Sequence, residues 1–188
     1  MNLIMLEKEL IYYCAPTLAG MKTANLFSFK FQEKNKFLKD IFALNNAANG
    51  KGVKIDILSI RENRALIYVY RIKALVKDLS KPGVFDILIK YGYDTNGDVE
   101  ELLNVLKTRL KMTICFPHEI GLFLGYPVED VYEFIRQNGK NCKYCGLWKV
   151  YCNVDDAKAL CKKYEHCQAV YRRVFKNDRN IAQMIVSA

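Results

Sequence analysis

The chain has 188 residues, 51% of them hydrophobic, with 29 Lys and Arg against 20 Asp and Glu. That length suits one compact domain, and that apolar content excludes global disorder. No window of about 18 apolar residues exists, so no membrane-spanning helix is expected. A net charge of +9 favours anionic partners. The basic residues are scattered, however, with short pairs at Lys162-Lys163 and Arg172-Arg173. A solvated basic surface is therefore the simpler reading than a nucleic-acid stripe. The apolar start, Met1 to Leu6, is interrupted by Glu7, Lys8 and Glu9 before a signal core is complete. Seven cysteines are an odd number for a disulfide framework. Free thiols or metal ligands in a reducing cytoplasm are expected instead.

Apolar and charged residues over 3–13 recur at a helical period and predict a first helix. A separate helical turn is expected over 16–22, with Pro16 at its first position and Cys14 just before it. Residues 26–31 alternate and predict a strand. The next helix, 33–48, buries Phe37, Ile41, Phe42, Leu44 and Ala48 and stops at Asn49-Gly50. Residues 53–60 and 65–71 predict an antiparallel hairpin across the polar turn 61–64. Helices follow over 72–79, 83–91 and 98–111, with a brief strand at 113–115. Two short helices occupy 116–139, punctuated by glycines. A strand is expected at 147–151 and a long helix over 154–176, capped by Asn153 with Asp155 and Asp156 in its first turn. Leu160, Tyr164, Cys167, Tyr171 and Val174 form that helix's apolar stripe. The tail from 177 to 188 carries a further short helix. These elements predict a single α+β domain over 1–188, a mainly antiparallel sheet of four or five strands covered by helices.

Chemistry-bearing residues concentrate in 116–149. Pro117 suits a helix start, which would put His118 and Glu119 in a first turn. There the dipole disfavours an imidazolium and leaves a neutral base or ligand. A satisfied loop histidine is the bland alternative. A thiol just before a helix N-terminus acquires a lowered pKa, so Cys14 is a candidate nucleophile, or else a small buried hydrophobe. Cys142 and Cys145 form a CxxC, which is half a zinc site. Cys152, Cys161, His166 and Cys167 supply only a poor second half, so no metal is assigned. The pattern over 120–134 also resembles a helix-turn-helix. Its second helix offers Glu129, Asp130 and Glu133 outward, which opposes binding to phosphates and disfavours nucleic acid. Tyr126 and Trp148 flank glycine turns and can wall a pocket for a planar ligand. No GxGxxG, Walker, GxSxG or HExxH motif occurs, so the cofactor is left open.

Four stretches then stand out together: CAPTLAGMKTANLF at 14–27, ALIYVYR at 65–71, FPHEIGLFLGYPVEDVYEFI at 116–135 and KNCKYCGLWKVY at 140–151. They resemble an uncharacterised bacterial domain-of-unknown-function family, found mainly in anaerobic Gram-positive bacteria. The resemblance spans about 5–172 and carries no activity with it. It implies a bacterial cytoplasmic protein whose recurring positions include Cys14, Lys22, Asn25, Arg71, His118, Glu119, Gly125, Tyr126, Pro127, Gly146, Trp148 and Lys149. It also implies that Cys152, Cys161 and the last ten residues are peculiar to this chain, which argues against zinc held by either cysteine.

The leading expectation is a thiol-dependent enzyme or a protein binding a small anionic ligand. Cys14 would be the thiolate, His118 the base and Glu119 its orienting partner. Lys22, Asn25, Arg71, Tyr126, Trp148 and Lys149 would contact the ligand. A non-catalytic binding or adaptor module is the alternative, and a DNA-binding regulator is the third reading. Substrate and oligomeric state are not legible.

Overall fold

The computed structural model of the chain describes residues 2–112, 116–175 and 181–187. In order, its elements are α1 (Asn2–Leu18), β1 (Ala24–Lys30), α2 (Lys34–Asn49), β2 (Val53–Arg61), β3 (Arg64–Arg71), α3 (Ile72–Leu79) and α4 (Val84–Lys90). They continue with α5 (Val99–Met112), α6 (Ile120–Phe123), α7 (Val128–Arg136), β4 (Tyr144–Cys145), β5 (Lys149–Val150), α8 (Val154–Phe175) and α9 (Ile181–Met184). The class is α+β and every strand pairing is antiparallel. The five described strands divide into a three-stranded and a two-stranded sheet. The brief strand expected at 113–115 lies outside the described residues.

Internal contacts divide the chain into two compact units, 1–74 with 164–188, and 75–163. No linker marks the boundaries, which fall inside α3 and inside α8. In the first unit the sheet order is β1-β3-β2. Alternation sends Ala65, Ile67 and Val69 to one face of β3, where they join Phe27, Phe29, Val53 and Ile55. Leu6 and Leu10 of α1 and Phe37, Ile41 and Leu44 of α2 cover that face. Ile181, Met184 and Ile185 close the same core. Phe42, expected on the buried side of α2, is 67% exposed. It lies one position past Ile41, outside the arc that a 3.6-residue period turns inward.

The expected break before Pro16 does not occur. α1 runs through Pro16, which sits in its last turn. The helix ends beyond it at Leu18, and the chain turns away at Gly20, whose φ of 78° only glycine adopts without strain. The amides of Met21 and Lys22 donate back to the Pro16 carbonyl at 2.8 and 3.1 Å. Cys14 therefore lies inside a helix, not before one. At the hairpin, Glu62 takes a φ of 52°, which reverses the chain between β2 and β3.

In the second unit, α5 starts with a reciprocal capping box. Glu101 N donates to Asp98 Oδ1 at 2.9 Å and Asp98 N donates to Glu101 Oε2 at 3.1 Å. Leu102, Leu103, Leu106 and Leu110 form its buried stripe. The α6–α7 corner turns on Gly125, φ 73°. The two helices pack so closely that a Cβ on Gly121 would stand 2.8 Å from Val131 Cγ2. Asn153 precedes α8 with a φ of 45°, not the extended backbone usual for a capping residue.

Candidate ligand cleft

A single carboxylate fastens the β4–β5 hairpin to α7. Asp130 is 3% exposed. Its Oδ2 accepts from Trp148 Nε1 at 2.7 Å, and its Oδ1 accepts from the amides of Tyr151 and Cys152 at 2.8 and 2.9 Å. A buried carboxylate needs such donors to offset lost hydration. The sequence reading put Asp130 on the outward face of a DNA-reading helix. The structure corrects this: the Asp130 side of α7 is covered by the hairpin, while Glu129 remains exposed.

The hairpin thus presents Trp148, whose ring stacks on Tyr126 at 5.2 Å and 22°. Lys149 donates from Nζ to the Gly139 carbonyl at 2.6 Å and stands 5.8 Å from the Phe134 ring centre. Together they border a cleft of about 360 Å³ whose lining includes His118, Gly121, Tyr126, Phe134, Trp148 and Lys149. His118 is half-buried on the turn before α6 and meets Phe134 edge-on at 5.0 Å. Exposed Cys145 stands at the same cleft.

Glu119 turns elsewhere, against the expectation that it orients His118. It is fully buried, and its Oε1 accepts from Arg109 Nε at 2.5 Å and from the Tyr93 hydroxyl at 3.0 Å. A carboxylate removed from water takes the strongest cation within reach, and Arg109 supplies it from α5. Burial, then the Glu119 charge, pushes the Tyr93 phenol well above its ordinary range. The Arg109 guanidinium also covers the Tyr91 ring at 4.7 Å.

The remaining expected site residues belong to the first unit, and each has a local partner there. Cys14 is wholly buried, and burial drives its thiol far above the ordinary value, with Lys22 only partly offsetting this. It is therefore a protonated core thiol at neutral pH. Lys22 donates to the Ala24 carbonyl. Asn25 accepts from the Thr17 hydroxyl at 2.7 Å. Arg71 caps α1, donating to the carbonyls of Thr17 at 2.7 Å and Leu18 at 2.6 Å, and also to Val186 at 2.7 Å. A cation at a helix C-terminus complements its dipole. Native-state labelling with iodoacetamide is expected to modify Cys145 first and Cys14 only after unfolding. Mass mapping that finds Cys14 labelled before Cys145 would contradict its burial.

The described cysteines are free thiols. Among the described residues no three His, Cys, Asp or Glu side chains converge to hold a metal ion. Among them, too, no helix is long and apolar enough to cross a membrane. No curated protein and no solved structure matches the chain. The model of DUF3793, described as a protein of unknown function, matches residues 10–185, and the chain belongs to that family.

Proposed function

We propose that the second unit is a small-ligand-binding module that takes a flat, largely apolar molecule bearing one anionic group. The carrying observation is the cleft of about 360 Å³ walled by the stacked Tyr126 and Trp148 and edged by Lys149. That volume lies within the range of roughly 300–1,000 Å³ common for small-molecule sites. An aromatic or heteroaromatic body would lie along the indole, and its carboxylate would meet the Lys149 ammonium, which has donors beyond the one given to Gly139. His118 adds a second polar group at the rim. Asp130 is already committed to three donors and holds the wall in place. The proposed setting is a bacterial cytoplasm, in keeping with the free thiols. A thiol-dependent catalyst built on Cys14, His118 and Glu119 draws less support, because Cys14 is a protonated core thiol and Glu119 is committed to Arg109.

Trp148 is the only tryptophan in the chain, so emission excited selectively at the indole, beyond tyrosine absorption, reports on this cleft. Titration with a panel of aromatic carboxylates is expected to give a saturable change in emission. Lys149→Met should weaken the best binder by about tenfold while leaving its uncharged amide analogue unaffected. A panel without any saturable response would remove the binding reading. Equal losses for acid and amide would remove the anionic part of it.

A further inference from the structure

The net charge of +9 is not shared evenly between the units. The first carries 16 Lys and Arg against 8 Asp and Glu, and the second 13 against 12, which together make up the 29 and 20 of the chain. On the first unit, α2 displays an apolar strip on its exposed side. Leu38 and Phe42 are 39% and 67% exposed, one helical turn apart. Exposed Lys34 and Lys39 flank them. Asp40 is the one carboxylate of this helix.

Cations in the first turn stand at the wrong end of a helix dipole. α2 nevertheless has Lys34 and Lys36 there and no acidic residue in that turn. Its leading residue, Glu33, forms no side-chain cap. The helix start is thus cationic and short of acceptors, the environment a carboxylate from outside would fill.

The second unit carries a surface of opposite character. A groove of about 1,040 Å³ runs between α4 and α7, bordered by Asp86, Ile89, Lys90, Glu129, Tyr132 and Glu133. Ile89 and Tyr132 are 58% and 45% exposed. Glu133 is paired with Arg136 at 2.7 Å. Asp86 and Glu129 are exposed and hold no ion pair among the described residues.

We propose that this groove receives α2 of a second copy of the chain. Leu38 and Phe42 would seat at the i, i+4 spacing by which an amphipathic helix anchors in a groove. Asp86 and Glu129 would face Lys34, Lys39 and the open helix start. The match of an acidic-rimmed apolar groove with a basic-rimmed apolar helix is what selects a second copy over another occupant. The contact is heterologous, one surface meeting a different one, so each copy offers both halves.

Sedimentation velocity at about 100 µM protein in low salt should show reversible self-association of the full chain, weakened in about 1 M NaCl. Phe42→Glu and Ile89→Glu alter exposed side chains, so both should keep the wild-type unfolding midpoint, and each alone should be monomeric. Mixed at 1:1, they should form a heterodimer and nothing larger, because only one intact helix and one intact groove remain. A monomeric wild type, a Phe42→Glu variant that associates like wild type, or a mixture that stays monomeric would each overturn the proposal. Retention on phosphatidylserine vesicles through Phe42, without self-association, would overturn it in favour of a membrane surface.

Discussion

Asp130→Ala is expected to lower the free energy of unfolding by about 3–5 kcal/mol, since an unsatisfied buried donor costs about 1–3 kcal/mol and three donors lose their charged acceptor. The carboxylate accepts from Trp148 Nε1 and from two backbone amides, all at 2.7–2.9 Å. Alanine leaves all three donors without this acceptor, those of Trp148 and Tyr151 in buried places. Urea unfolding measures the loss. Trp148 emission should also shift to longer wavelength in the native state as the hairpin loosens and water reaches the indole. Asp130→Asn should fall between, because its Oδ1 still accepts while its amide group faces a donor. A wild-type midpoint with unchanged emission in Asp130→Ala would show that the hairpin does not depend on Asp130.

The second large effect is expected at Arg109. Arg109→Met removes the cation from fully buried Glu119 and should cost about 3 kcal/mol or more. Glu119→Gln keeps an acceptor for the Tyr93 hydroxyl and removes the buried charge, so its cost should be smaller. Combining the two should recover part of the Arg109→Met loss, since the methionine no longer strands a carboxylate. Urea titrations of the four proteins form a double-mutant cycle. A strictly additive double variant would mean that the ion pair carries no coupling.

What was legible in the sequence depended on whether the deciding interaction was local. The β2–β3 hairpin was readable because two apolar strands flank the polar turn 61–64 within twenty residues, although the irregularity between Ile57 and Ser59 was not. The helices over 72–79 and 98–111 were readable from periodicity. β4 was not anticipated, since two residues cannot display a period. Cys14 was misplaced because Pro16 was taken as a start, whereas it sits in the last turn of a helix that closes with back-bonds from Met21 and Lys22 to the Pro16 carbonyl. Within the cleft, Tyr126, Trp148, His118 and Lys149 were anticipated as candidates, and the structure groups them. Asp130 and Glu119 were misread because their partners lie 10 to 26 residues away in sequence. The clue to Asp130 was its position beside Val131 on the packing face of α7, a charge where an apolar residue belongs.

The first unit is built from two pieces of chain, 1–74 and 164–188, with the second unit wholly between them. This has a consequence for the order of events during synthesis. Residues 75–163 leave the ribosome as one uninterrupted stretch and have their own contacts available at once. The sheet and α1 emerge earlier but wait longer. Ile181, Met184 and Ile185 are part of their core, and the Val186 amide donates to the Leu18 carbonyl at 3.0 Å. Until those residues are made, the core beneath α1 and α2 lacks its closing side chains and one of the three Arg71 acceptors is missing. The part of the protein begun first is therefore the part finished last, and a nascent chain halted before residue 181 would hold a first unit whose core is still short of Ile181, Met184 and Ile185.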